Sequence, residues 1–251
     1  MPSAAQLEVV LVSPRNPLNI GAAARAMANF GFDQLTVVAP YEPHWREACS
    51  AVGAEALLQN ARRTESLAEA VADCTLVIGT GTLTSRKAEQ KVVSLPSLAP
   101  LVEQELAHGG RIALVFGSEK HGLTRADLSW CQLLVEIPTN ERQPSMNLGQ
   151  AVAVCLYEVA TRALPSAPGA ATPVPITGQA AAPSASLDLL AGVVEETMLA
   201  AGYSPRSMQA ANRHDLRLLL RRLAPNPGDA RRILGLFRRV LWRLRQTHEG
   251  R

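Results

Sequence analysis

The chain has 251 residues, 47% of them hydrophobic, and a formal charge of +3, which is enough to bury a core in one α/β domain and leave material for a smaller second one. The N-terminal stretch "MPSAAQLEVV" has no basic segment followed by an apolar one, and no apolar run approaches the roughly 18 residues of a membrane span, so a soluble cytoplasmic protein without a membrane partner is expected. Cys49, Cys74, Cys131 and Cys155 lie far apart with no C-x-x-C pair, and the five histidines show no ligand spacing, so the cysteines read as reduced core thiols and no metal is expected.

A first strand is expected over "EVVLV" (8–12), followed by the loop "SPRNPLNIG" and an alanine-rich helix ending near Phe32. Asn19 is positioned as the N-cap of that helix. Long side chains on a helix lean back toward its N-terminus, so Arg25 would pass over Gly21, where no side chain blocks the path. Its head is then expected at the mouth of the loop, beside Asn19 and the free N–H groups of the helix start, where an anionic or electron-rich group is favoured. The spacing fits a plainer account equally well, with Asn19 only a cap and Arg25 a solvated helix residue.

Further β-branched runs follow at 35–39, 75–79, 112–116 and 133–137. They are apolar on both faces and mostly separated by helical patterns, as in a largely parallel sheet covered by helices on both sides. Ligands of such sheets gather beyond the carboxyl ends of the strands. After 112–116 comes "FGSEKHGLTRADL", where Gly117 and Gly122 bracket Glu119 in a turn that lets backbone approach a ligand, and Thr124 with Asp127 forms a capping-box pattern. After 133–137 comes "IPTNERQPSMNLGQAV", running into a helix that starts near Asn147. Asn147 and Gln150 fit a second capping box. Ser145 is either a turn former or a hydroxyl held ahead of a helix start to fix a nucleophilic or substrate oxygen.

The stretch "PSAPGAATPVPITGQAAAPSA" (165–185) has five prolines and no charged residue. It cannot sustain a helix or supply a core, so it reads as a linker between a domain at 1–164 and another at 186–251. The second domain is expected to be helical over 187–201, 214–223 and 230–246. Residues 186–251 hold 12 Lys+Arg against 6 Asp+Glu, whereas residues 1–185 hold 13 against 16. In the last helix Ile233, Phe237, Val240, Leu241 and Leu244 share a face expected to be buried. Arg231, Arg238 and Arg245, with Arg232 and Arg239 beside them, form a ridge on the other side, either a solvated face or a track for an RNA backbone.

Taken together, "NIGAAAR", "LVFGSEKHGL" and "IPTNERQPSMNL" resemble, in order and spacing, the three motifs of the SPOUT superfamily of RNA methyltransferases. The resemblance covers most of residues 8–162 and is to the TrmH-like branch, which methylates ribose 2′-hydroxyls. A catalytic domain followed by a short basic helical one is most similar to the TrmJ-type tRNA 2′-O-methyltransferases, whose target is the ribose of nucleotide 32 in the anticodon loop. The resemblance implies a trefoil knot at the end of the catalytic domain, S-adenosylmethionine bound in it, and a homodimer whose active site borrows across the interface. It implies Asn19, Arg25 and Ser145 as catalytic motif residues, supported by Glu119 and Asn147. The implied cofactor cradle comprises Thr80, Gly81, Thr82, Gly117, Ile137, Ser145, Met146 and Leu148, and Arg86 in "TSRK" would reach RNA.

Methyl transfer to a ribose oxygen is an in-line displacement by a poor nucleophile, so the hydroxyl must be oriented and relieved of its proton. A guanidinium pKa above about 12 makes arginine a costly base. The role expected for Arg25 is therefore to clamp the phosphate and stabilise the developing alkoxide while Ser145 and Asn19 fix the hydroxyl. A ribosomal-RNA 2′-O-methyltransferase and a non-catalytic RNA-binding protein on the same fold remain open alternatives. A nicotinamide-binding Rossmann domain is disfavoured, because no G-x-G-x-x-G follows the first strand, and "GTGTLT" (79–84) lacks the final glycine and the helix start.

Overall fold

Five of the apolar runs become strands whose residues alternate between two buried faces: β1 (Leu7–Val12), β2 (Gln34–Val38), β4 (Leu76–Thr80), β6 (Ile112–Phe116) and β7 (Leu133–Glu136). The structure is a computed structural model and describes residues 6–81, 89–162, 180–203 and 206–249. Two further strands, β3 (Arg62–Thr64) and β5 (Lys91–Ser94), close the edges of a seven-stranded sheet of order β3-β2-β1-β6-β4-β7-β5. Every pairing is parallel, with Val9 opposite both Leu35 and Leu114 at the centre. The edge strands escape the sequence reading because they are short and mostly exposed, so neither carries an apolar run.

Side chains of successive strand residues leave opposite faces, and the core divides accordingly. Val9 and Leu11 join the layer of α1 (Pro17–Phe30), α2 (Glu55–Asn60), α4 (Leu98–Ala107) and α6 (Leu148–Arg162). Val10 and Val12 join the layer of α3 (Leu67–Ala70) and the segment after α5 (Arg125–Leu128), including Trp130 and Cys131. The alanines of α1 serve the first layer: Ala23, Ala24 and Ala26 are buried, and a Cβ on Gly149 of α6 would come within 2.7 Å of the Ala22 Cβ. Gly21 does not open a path for Arg25. Its bare Cα faces Ser50, Ala51 and Ala48, and the Ser50 hydroxyl donates to the Leu18 carbonyl at 2.7 Å.

The C-terminal part folds into α7 (Ser184–Ala200), α8 (Gln209–Leu223) and α9 (Pro227–Glu249), with α8 and α9 both packed against α7. The first of these helices begins three residues before the expected 187. Ser184 is already helical, the buried Ala182 donates to the Pro225 carbonyl, and the N–H of Ser184 reaches the Cys74 carbonyl at 2.9 Å. Residues 165–179 of the expected linker lie outside the described residues.

A seam joins the helices to the sheet at Trp130, whose ring carries the guanidinium groups of Arg217 and Arg221 at 4.3 and 4.7 Å from its centroid. Arg221 is 2% exposed. It donates to the Trp130 carbonyl at 3.0 Å and to the Ser184 hydroxyl at 2.9 Å, and burial pushes its pKa down to about 10.

The expectation of four core thiols holds for Cys74, Cys131 and Cys155, whose burial raises each pKa to about 12, but Cys49 is exposed. It follows the short turn at 45–47 rather than a strand or a core helix. Among the described residues no helix is long and apolar enough to cross a membrane, and no group of three His, Cys, Asp or Glu is placed to hold a metal ion.

Candidate active site

The carboxyl ends of β4, β6 and β7 open onto a cleft of about 310 Å³, within the size range of small-molecule sites. Its walls bring together Thr80, Gly81, Gly117, Ile137, Ser145, Met146 and Leu148, so seven residues of the expected cradle meet in one place. Thr82 and Arg86 lie outside the described residues. Phe116, Leu123 and Leu134 add apolar lining, and Ser118, Thr139 and Ser145 add polar groups. Thr80 is buried, its hydroxyl donating to the Val115 carbonyl at 3.1 Å, so its part is to shape the wall.

Gly117 has to be glycine. A Cβ there would lie under 3.0 Å from Gly122 C, Leu123 N and Gly122 O, all backbone, because the chain folds back at once. That fold is fixed by the Gly122 N–H donating to the Ser118 carbonyl at 2.8 Å and by Gly122 itself at φ +63°, a left-handed conformation that favours glycine. The Thr124–Asp127 capping box is present and starts α5.

The turn presents Glu119, and Glu119 organises the lip of the cleft. One carboxylate oxygen accepts from the Asn19 side-chain amide at 2.8 Å and from the Asn16 N–H at 3.1 Å, while the other accepts from the Arg15 N–H at 2.9 Å. Burial pushes this carboxyl up, yet the hydrogen bonds from Asn19 and from the Arg15 and Asn16 backbone outweigh it and hold the pKa below the ordinary value. The Asn19 oxygen in turn accepts from the Asn147 amide at 2.8 Å. Asn147 also caps α6, its oxygen accepting from the Gly149 N–H at 3.0 Å and the Gln150 N–H at 3.4 Å. Three segments that are far apart in sequence, the first turn of α1, the turn after β6 and the start of α6, are thus joined by one polar chain, Asn147 to Asn19 to Glu119.

Two expectations need correction. Asn19 is not the N-cap of α1: Asn16 is, accepting from the Leu18 N–H at 2.9 Å, with Pro17 as the first helical residue. The Asn-Pro pair carried that signal, since proline suits the first helical position. Asn19 is thereby freed for the Glu119–Asn147 chain. Nor is the path over Gly21 open to Arg25, because Ser50, Ala51 and Ala48 fill it. Arg25 stands exposed on α1, outside the cleft lining, and pairs with no other described residue.

The arginine ridge of α9 is only partly free. Arg231 and Arg238 are exposed, but the Arg231 Nε donates to the Pro227 carbonyl at 3.1 Å, and Arg245 pairs with Glu196 of α7 at 2.8 Å. Val240, expected inside, is 40% exposed, because α7 covers the Leu241 side of the helix only.

A sequence profile described as the SpoU rRNA Methylase family matches residues 6–157. Among curated relatives, the "tRNA (cytidine/uridine/adenosine-2'-O-)-methyltransferase TrmJ" of Pseudomonas aeruginosa is 40% identical over 155 residues, 61% of this chain and 60% of that protein. The chain thus spans less than two thirds of that relative's length. The "tRNA (cytidine/uridine-2'-O-)-methyltransferase TrmJ" of Salmonella typhimurium is 30% identical over 256 aligned positions, covering 98% of both chains. The crystal structure of TrmJ from Z. mobilis superposes with a TM-score of 0.78 at 30% identity, over 93% of this chain and 98% of the other. The chain therefore belongs to the SpoU methylase family, and its full-length likeness is to the TrmJ-type members.

Proposed function

We propose that this chain methylates a ribose 2′-hydroxyl of tRNA with S-adenosylmethionine, at nucleotide 32 of the anticodon loop, and does so as a homodimer. The observation that carries the reading is the Asn147–Asn19–Glu119 chain at the lip of the cleft, with Ser145 on the adjoining wall. The cleft suits the cofactor: Phe116, Leu123, Leu134 and Ile137 offer apolar walls, and the Gly117 turn lets backbone come close where a side chain would intrude. S-adenosylmethionine, when bound, supplies an electrophilic methyl group.

The protein's own residues then have to bring the hydroxyl into line. Ser145, whose hydroxyl bonds to no other described residue, is available to hold it. Asn19 is locked on both sides, its amide by Glu119 and its oxygen by Asn147, so it presents a fixed edge. Preorganised groups of this kind avoid reorganisation during reaction. Arg25, exposed and unpaired among the described residues, is supplied to the site of a second copy, where it clamps the phosphate and stabilises the alkoxide as it forms. Arg231 and Arg238 on α9 supply the sequence-independent attraction to the tRNA backbone.

The reading includes the trefoil knot implied by the family motifs. Its support is the strand order, in which β7 enters between β4 and β5 after both have been laid down. The family description favours a ribosomal RNA substrate as a second reading, but the relatives matched end to end are tRNA enzymes by name, which puts tRNA first. Mapping ribose methylation on tRNA from cells lacking this protein tests the choice. Loss of the 2′-O-methyl group at nucleotide 32 is expected, and an unchanged tRNA map with a lost ribosomal site would replace the reading.

A further inference from the structure

Two residues other than glycine adopt left-handed backbone at the exits of adjacent strands: Ser13 after β1, with φ 48°, and Ala39 after β2, with φ 42°. Left-handed backbone is strained for any residue with a Cβ, and strain of this kind collects at functional loops. Both are held by the neighbouring strand, the Ser13 N–H donating to the Val38 carbonyl at 2.8 Å and the Ala39 N–H to the Thr64 carbonyl at 2.9 Å. The bends bring the two loops together, where the Tyr41 N–H donates to the Pro14 carbonyl at 3.1 Å and the Arg15 guanidinium sits 4.9 Å from the centroid of the Tyr41 ring.

Packing does not explain this pair. Tyr41 is 67% exposed, and Arg15 makes no ion pair with a described residue. The pair is nonetheless tied to the candidate site, because the Arg15 N–H is held by the Glu119 carboxylate that also anchors Asn19. The sheet order sets the layout along its carboxyl edge: the cleft over β7, β4 and β6, the Asn19–Glu119 pair over β6 and β1, and the Arg15–Tyr41 pair over β1 and β2.

We infer that Arg15 and Tyr41 form a recognition rim for single-stranded RNA, Tyr41 stacking an unpaired base beside the nucleotide whose ribose lies at Asn19, and Arg15 binding a phosphate of the same strand. The inference rests on the RNA reading above. An exposed aromatic ring backed by a guanidinium accepts the π-face of any base, and sequence-specific enzymes on RNA act where bases are unstacked. The rim therefore suits a loop nucleotide rather than a duplex.

The test uses the full chain and an unmodified tRNA transcript, measuring equilibrium RNA binding, KM and kcat for methyl transfer, and affinity for S-adenosylhomocysteine. Tyr41→Ala should raise the RNA dissociation constant and KM about tenfold, Tyr41→Phe should stay within about twofold of wild type, and neither should move S-adenosylhomocysteine affinity or thermal midpoint. Arg15→Ala should weaken binding and make it less sensitive to salt. Wild-type protein that methylates the transcript alongside an equally tight Tyr41→Ala variant would overturn the rim and leave the proposed function standing. Wild-type protein that binds the transcript but transfers no methyl would overturn the proposed reaction, with the binding series still deciding the rim. Wild-type protein that binds no RNA would overturn both.

Discussion

Three glycines on one cleft make a graded test of how tightly the candidate site is built. At Gly117 an alanine Cβ would meet the backbone of Gly122 and Leu123 at under 3.0 Å, and restoring ordinary contact requires the 118–122 turn to open by about 1 Å. Neither obstructing group is a flexible side chain, so the cost belongs at the upper end for overpacking, about 3 kcal/mol. At Gly122 nothing obstructs the new methyl, but φ is +63°, and an alanine there costs roughly 1–2 kcal/mol from the backbone alone. At Gly81, on the same cleft, a Cβ meets nothing within 4 Å, and the change should stay within about 0.5 kcal/mol. Urea unfolding of the three variants reads the order directly. Titration with S-adenosylhomocysteine should show the largest loss for Gly117→Ala, since opening the turn also displaces Glu119. Equal stability of the Gly117 and Gly81 variants, or tight ligand binding by Gly117→Ala, would refute the close-turn account.

Other outcomes follow from the charges and thiols. The folded-state pKa of Glu119 is lowered, so its contribution to stability is fully present above the unfolded value of about 4.3 and is lost as pH falls through the folded one. The stability gap between wild type and Glu119→Gln should thus be flat near neutrality and shrink in that acid range, and a gap constant down to pH 3 would contradict it. Under native conditions at pH 8, iodoacetamide should label Cys49 alone, with Cys74, Cys131 and Cys155 reacting after unfolding; mass spectrometry of native and denatured samples decides. Arg221 is a buried cation that forms no ion pair among the described residues, so Arg221→Met should change stability by under about 1 kcal/mol. Arg221→Ala, which also leaves a cavity against Trp130, should cost about 3 kcal/mol, and a Met variant as unstable as the Ala variant would refute this view of the seam.

What the sequence made legible was whatever burial writes into a run of residues. The five apolar strands, the parallel sheet and the three-helix C-terminal part were readable because each needs consecutive or periodic apolar positions. The edge strands β3 and β5 carry no such run, being paired on one side and largely exposed. Within the site, the cradle positions were readable as loops after strands, and the motif likeness placed them together. The Asn147–Asn19–Glu119 chain was not readable, because its hydrogen bonds join residues 100 and 128 positions apart. The helix start was misplaced by three residues because Asn19 has the chemistry of a cap and Asn16 has it too; only the following Pro17 separates them. Arg217, Arg221 and Arg222 follow one another on α8, and nothing local marks Arg217 and Arg221 as the pair that docks on Trp130.

The central claim is that the lip of this cleft delivers a ribose hydroxyl to S-adenosylmethionine. The most direct measurement incubates the purified full chain with an unmodified tRNA transcript and S-adenosylmethionine carrying a labelled methyl group, then digests the RNA and identifies the labelled nucleoside. The account predicts a 2′-O-methylated nucleoside from the anticodon loop, a loss of about a hundredfold or more in rate for Arg25→Ala with its fold intact, and a similarly large loss for Asn19→Ala. Label on a base, no transfer to RNA at all, or full activity in both variants would contradict it.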